Sequence, residues 1–176
     1  MLSQSIQDAI NEQVKNEFYS AYFYLSMSAF FESKGLPGFA KWMRVQYDEE
    51  VVHALKLFDF ITDRGGRPVL FGIEQPPGDF QTPLDVFQRA LAHEQKVTAL
   101  INNLYALALK ENDYATQVLL QWFISEQVEE EKSATLIVDQ LQLAGDSGSA
   151  LLLLDRALGA RQAAGVAAAG ESASAT

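Results

Sequence analysis

Four stretches of this 176-residue chain repeat apolar residues every three or four positions, and each repeat is interrupted, in register, by a side chain able to bind metal. In the first, Glu17 falls between Val14 and Ala21. In the second, Glu50 and His53 stand between Gln46 and Leu57, on a stripe that begins at Phe39 and Met43. In the third, Glu94 follows Leu91, and Thr98 and Ile101 continue the stripe. In the fourth, Gln127 and Glu130 lie between Phe123 and Ala134, with Ile137 beyond them. Spacing by threes and fours marks one face of an α-helix, and no segment alternates as a strand does. The sequence therefore predicts an all-α fold whose core contains acids.

Helix boundaries follow from capping chemistry. The first helix is expected from about Ser5 to Lys34, where Gly35 breaks it, and Pro37 suits the first turn of the second. The second runs to about Arg64 and stops at Gly65-Gly66. The third opens on Thr82-Pro83-Leu84-Asp85, which combines a capping threonine, a first-turn proline and an acid near the positive helix end. It continues to about Glu111, and Asn112-Asp113 supplies the turn into the fourth, which ends before Gly145. Short links make helices one and two, and three and four, antiparallel neighbours. The middle link, Gly65 to Gln81, holds Pro68, Pro76 and Pro77 and has no helical period. A helix of about 28 residues spans roughly 42 Å, whereas 17 extended residues reach roughly 55 Å. The link can return along the whole bundle, leaving helices two and three parallel. The expected architecture is a four-helix bundle with one long crossover, followed by a short fifth helix over about Ser147 to Leu158.

The acids also share a height. Glu17, Glu50, Glu94 and Gln127 each lie about 12 to 14 residues into their helices, so alternate helix directions bring all four near mid-bundle. Glu50-Val51-Val52-His53 puts a carboxylate and an imidazole one turn apart on one face, the Glu-x-x-His pattern of carboxylate-bridged di-iron bundles. Burying Glu17, Glu50, Glu94 and Glu130 without compensation costs several kcal/mol per ion or forces the acids to keep protons. Two divalent cations would neutralise them. Oxygen ligands with one nitrogen suit iron(II) or manganese, whereas structural zinc favours more nitrogen and sulfur.

Bulk properties point the same way. A net charge of −10 repels a nucleic-acid backbone or an anionic membrane and makes cations the plausible clients. The absence of cysteine rules out disulfides, iron–sulfur clusters and thiolate zinc sites. Met1-Leu2-Ser3-Gln4-Ser5 lacks the basic and apolar regions of a signal peptide, and no apolar run is long enough to span a bilayer, so a cytoplasmic protein is expected.

At these residues the sequence resembles the bacterial non-haem ferritins. The resemblance is carried by Asn11-Glu12-Gln13 through Glu17-Phe18-Tyr19-Ser20, Glu49-Glu50-Val51-Val52-His53, His93-Glu94-Gln95, and Gln121-Trp122 through Ser125-Glu126-Gln127-Val128-Glu129-Glu130-Glu131-Lys132. It implies a ferritin-like fold, a hollow homo-oligomer of 24 subunits, ferroxidase activity on iron(II) with oxygen or peroxide, and a stored ferric oxide core. It makes Glu17, Glu50 and His53 ligands of a first iron, with Glu50 bridging to a second that Glu94 and Glu130 also hold. Gln127 lies beside the pair, and Tyr24 matches the family's tyrosine near the site. A third iron position, found in prokaryotic ferritins, would use Glu49, Glu126, Glu129 and Glu130. Glu130 and Val51 replace the histidine and haem-binding methionine of haem-containing bacterioferritins, so no haem is expected.

Three other readings make distinct demands. A rubrerythrin-like peroxidase would carry further glutamates and a cysteine-ligated iron module. A DNA-protecting mini-ferritin places its metals between subunits and often has basic tails. A helical interaction protein without metal would purify with none and would not take up iron(II). Among the remaining residues, His93 lies off the Glu94 stripe and is expected to be exposed, while Phe18, Tyr22, Phe23, Phe30 and Phe31 are assigned to packing or subunit contacts. Trp122 flanks its stripe and is assigned no chemistry. Residues 1–159 are read as the bundle domain, and the alanine-, glycine- and serine-rich residues 160–176 as a flexible tail.

Overall fold

A computed structural model describes residues 2–161. Most of the tail expected over 160–176 thus lies outside the described residues. Five helices follow in order, α1 (Gln4–Ser33), α2 (Pro37–Asp63), α3 (Pro83–Lys110), α4 (Tyr114–Ala144) and α5 (Gly148–Leu158), and there is no strand among the described residues. None of these helices is long and apolar enough to cross a membrane.

The capping residues explain where the helices begin. The side chains of Ser3, Thr82, Asp113 and Ser147 accept the amide hydrogens of Ile6, Asp85, Thr116 and Ala150 at 3.3, 3.1, 3.0 and 3.3 Å. Each satisfies a first-turn donor that has no partner within its own helix. The exception is α2, which starts at Leu36-Pro37 without a local side-chain cap. Its Phe39 amide instead donates to the Asp155 carboxylate of α5 at 2.9 Å. At the turn after α3, Asn112 takes the left-handed conformation with φ of 54°, which asparagine tolerates better than most residues.

Side-chain pairs fix the topology. Tyr24 meets Glu94 while Phe31 meets Phe87, so α1 and α3 run antiparallel. Since α1 also folds back on α2, helices α2 and α3 are parallel, as the long crossover requires. The crossover climbs along α1: the amides of Arg67 and Val69 donate to Gln7 and Asn11 at 3.1 and 2.9 Å, and Ser26 donates to the Pro77 carbonyl at 2.8 Å. At the base of the bundle, Arg64 makes a two-pronged contact to Asp113 at 2.9 and 3.0 Å, tying the end of α2 to the start of α4.

The apolar core is split in two. One cluster gathers Tyr24, Met27, Phe31, Phe39, Met43 and Phe87 at one end of the bundle. The other holds Ile6, Ile10, Val14, Leu57, Ile101 and Phe123 at the opposite end. The in-register acids fill the layer between them. Leu151, Leu154 and Leu158 of α5 cover the first cluster, while Leu152 and Leu153 stay exposed. Gly38 and Gly159 permit the close seating of α5: a Cβ added to Gly38 would lie 1.7 Å from the Asp155 carbonyl oxygen.

A candidate di-iron centre between two hydrophobic clusters

Glu17 from α1 and Glu50 and His53 from α2 form the tightest group. Each offers a ligand atom within 4.8 Å of the others, and no second group of three histidine or acid side chains is as compact among the described residues. All three are buried. Their positions follow from helix geometry: i, i+3 spacing stacks Glu50 and His53 on the α2 face that looks at α1. Glu17 Oε1 accepts from Gln13 at 2.8 Å, one turn earlier on its own helix. The other oxygens, Glu17 Oε2 and Glu50 Oε2, are buried without any hydrogen-bond partner. His53 Nδ1 faces Glu50 Oε2 at 3.4 Å.

Glu94 and Glu130 approach from α3 and α4. Glu94 has no exposed surface and accepts from Tyr24 at 2.5 Å and from Gln127 at 3.1 Å. Gln127 also donates to the Glu94 carbonyl at 3.2 Å, which pins it between α3 and α4. Glu130 accepts from Gln46 at 2.6 Å. A cleft of about 310 Å³ between α3 and α4 opens beside Gln127.

The electrostatics are those of a site short of positive charge. Burial raises the Glu17 carboxyl to about 7, against the lowering effect of its bonds to Gln13 and Glu50. Burial, then the charges of Glu94, Glu17 and Glu130, hold Glu50 well above the ordinary carboxyl range. Glu94 is raised by burial in spite of the Tyr24 and Gln127 bonds. Glu130 is pushed to about 8 by burial and then by Glu94, with Gln46 opposing. Burial, with Lys56 next, lowers His53 to about 4, so at neutral pH its imidazole is uncharged and has a lone pair for a metal. Four carboxyls raised by burial, two orphaned carboxylate oxygens and an uncharged imidazole fit a pair of divalent cations that take oxygen and nitrogen ligands. Iron(II) meets that description.

The acids assigned to a third position are not gathered in the same way. The Glu49 carboxylate bonds to the guanidinium of Arg161 at 2.7 Å. Glu126 is half-buried, and Glu129 is exposed with Lys132 at 3.8 Å. His93 corrects an expectation: it is half-buried, with Nε2 2.8 Å from the Ser20 hydroxyl and its ring edge-on to Phe23 at 5.2 Å. The physical reason is that α1 covers this flank of α3, a contact invisible in the periodicity of α3 alone.

Three supporting residues escaped the sequence reading. Gln13 and Gln46 each sit one turn before a candidate ligand, and Gln46 stands on the same stripe as Glu50, so their spacing carried a signal. Trp122 carried none. Its ring packs edge-on to His53 at 5.3 Å and beneath the Lys56 ammonium at 4.2 Å.

Comparison with known proteins places the fold among known ones. Residues 7–144 match the model of the ferritin-like domain. The chain is 44% identical over 161 residues to a bacterial non-heme ferritin of Bacteroides fragilis, covering 92% of this chain and all of that protein. It is 41% identical to one from Staphylococcus saprophyticus, covering 92% and 96%. Among solved structures, an open pore ferritin from the hyperthermophilic archaeon Archaeoglobus fulgidus superimposes with a TM-score of 0.91 at 48% identity, covering 92% of this chain and 100% of that one.

Proposed function

The chain belongs to the ferritin family, and from that membership we propose that it stores iron in a closed cytoplasmic shell of 24 subunits, oxidising iron(II) at the buried centre of each subunit. The observation that carries the ferroxidase reading is the pair of orphaned oxygens, Glu17 Oε2 and Glu50 Oε2, in a layer walled off by two apolar clusters. Leaving buried acceptors unpaired costs about 1–3 kcal/mol each, a cost that a bound cation reverses.

Iron is the substrate. Glu17 and His53 hold the first iron(II), Glu50 bridges, and Glu94 and Glu130 hold the second, with Gln127 beside them. Two ferrous ions carry four positive charges, matched by the four carboxylates once their protons leave. Each iron gives one electron, and oxygen takes both, together with two protons, to become hydrogen peroxide. The product pair carries two surplus positive charges, which favours oxo or hydroxo bridging and departure from the site as hydrolysed ferric iron. Gln13, Gln46, Tyr24 and Gln127 hold the carboxylates in place through this change, and Trp122 holds His53. Glu49, Glu126, Glu129 and Glu130 form a third position on the way out.

Aerobic iron(II) addition followed by absorbance, with sizing of the product, tests the reading. Glu50→Ala should remove the bridge and abolish rapid oxidation while leaving a folded assembly. Initial rates like those of the unaltered protein would sink it.

A further inference from the structure

Gly159 ends α5 beside the N-terminal turn of α2, and Lys41 fastens it there by donating to the Gly159 carbonyl at 2.8 Å. With Asp155 bonded to Phe39, the backbone leading out of α5 is fixed at two points against one helix. This delivers Arg161 to the face of α2 that carries Trp42, Gln46 and Glu49. Its guanidinium lies 4.8 Å from the Trp42 ring centroid, donates to the Gln46 side-chain oxygen, and donates to Glu49 at 2.7 Å. The Arg161 side chain is 27% exposed and that of Glu49 is 19% exposed, so the pair is partly withdrawn from water. The amide of the same Gln46 donates to Glu130 at 2.6 Å. One guanidinium is therefore bonded directly to one acid of the third position and, through Gln46, linked to another.

We propose that Arg161 is a tethered cation seated at the Glu49 end of the third iron position, so that a third metal ion binds only by displacing it. This rests on the assignment of Glu49 to that position. The chemistry follows from what each contact asks of the occupant. The charges of Glu49 and Glu130 oppose one another, so Glu49 needs a positive partner, and a guanidinium satisfies that need with directional hydrogen bonds. Stacking on Trp42 adds a cation–π attraction that a hydrated metal ion at Glu49 would not share. Because the arginine is held by the chain, its local concentration is high and independent of iron supply, and an incoming cation must compete with it. Glu17, Glu50 and His53 have no such competitor. The first two irons would thus bind ahead of the third, and Arg161 would set how readily a third joins them.

Zinc(II), which has no redox chemistry, separates binding from turnover. The full-length protein in its assembled state is titrated calorimetrically at fixed ionic strength, and tryptophan emission is followed in parallel. The unaltered protein should bind two zinc ions per subunit tightly and a third at least tenfold more weakly, with an emission change at the third equivalent as Arg161 leaves Trp42. Arg161→Gln should tighten the third ion at least tenfold and remove that emission step. Arg161→Lys, which keeps the charge but loses the planar fork, should fall between. Adding Glu49→Gln to Arg161→Gln should abolish the tightened binding. If Arg161→Gln leaves third-ion affinity within twofold while Glu49→Gln still weakens it, the competition by Arg161 is wrong and the third position stands. If Glu49→Gln changes nothing in either background, the assignment of Glu49 fails and the proposal fails with it.

Discussion

Tyr24 of α1 reaches across the bundle to donate its phenolic hydrogen to Glu94 of α3, 2.5 Å away, and neither residue has any exposed surface. The bond joins the edge of one apolar cluster to the polar layer, and with Gln127 it leaves Glu94 little freedom to turn. Tyr24→Phe removes that restraint without leaving a void. Stopped-flow oxidation should slow by up to roughly tenfold, equivalent to about 1.4 kcal/mol of lost transition-state positioning. The number of zinc ions bound at the paired site should not change. An unaltered initial rate would show that Tyr24 serves packing alone.

The carboxyl pKa values set a pH dependence for the metal-free protein. Glu17 and Glu130 titrate near 7 and 8 when folded, against 4.5 ordinarily. Raised values favour the native state only while the protons stay on, so this stability is complete below 4.5 and is lost as pH rises through 7 to 8. His53 and His93, lowered from 6.5 to about 4, act oppositely: their stability is present above 6.5 and lost as pH falls through 4. Between pH 6.5 and 8 the histidine contribution is complete and the carboxyls still change. Urea unfolding in chelator should therefore show a loss on the order of a few kcal/mol per subunit across that window. Saturating zinc(II) should reverse it. Equal metal-free stability at both ends would mean that the acids are already ionised at pH 6.5.

Metal uptake should release protons for the same reason, because the carboxyls must ionise to coordinate. Weakly buffered titrations with zinc(II) at pH 6.5 should liberate more than one proton per subunit, and fewer at pH 8.5. Release that does not vary with pH would contradict the raised carboxyls of Glu17 and Glu130.

Seating of α5 is testable at two positions. A Cβ on Gly38 would collide with the Asp155 backbone, so Gly38→Ala should destabilise by about 1–3 kcal/mol despite alanine's better helix propensity. Asp155→Ala should cost about 1 kcal/mol by uncapping α2. Thermal unfolding by circular dichroism measures both. A more stable Gly38→Ala variant would mean that α5 does not dock there.

Assembly follows from surface chemistry. Leu143 is 88% exposed in the isolated chain, and Tyr114, Val118, Leu152 and Leu153 are all more than half exposed. A closed symmetric shell can cover such residues with copies of themselves. Light scattering should give a mass near 24 copies at micromolar concentration and neutral pH. A stable monomer or dimer would contradict the shell.

The sequence alone determined the helices, their order and the parallel placement of α2 and α3, because each rests on a local signal. Period, caps and link length are properties of one segment at a time. It also determined that Glu17, Glu50, His53, Glu94, Gln127 and Glu130 face inward at one height, since each interrupts an apolar stripe whose direction is already known. What it could not reach are contacts between residues far apart in the chain that share no stripe: Asp155 capping α2 at Phe39, Arg161 on Glu49, Trp122 against His53, and His93 tucked against α1. These depend on the rotation and seating of one helix against another. Packing of whole faces sets that relation, so only the tertiary structure decided which buried oxygens kept hydrogen-bond partners and which were left without one.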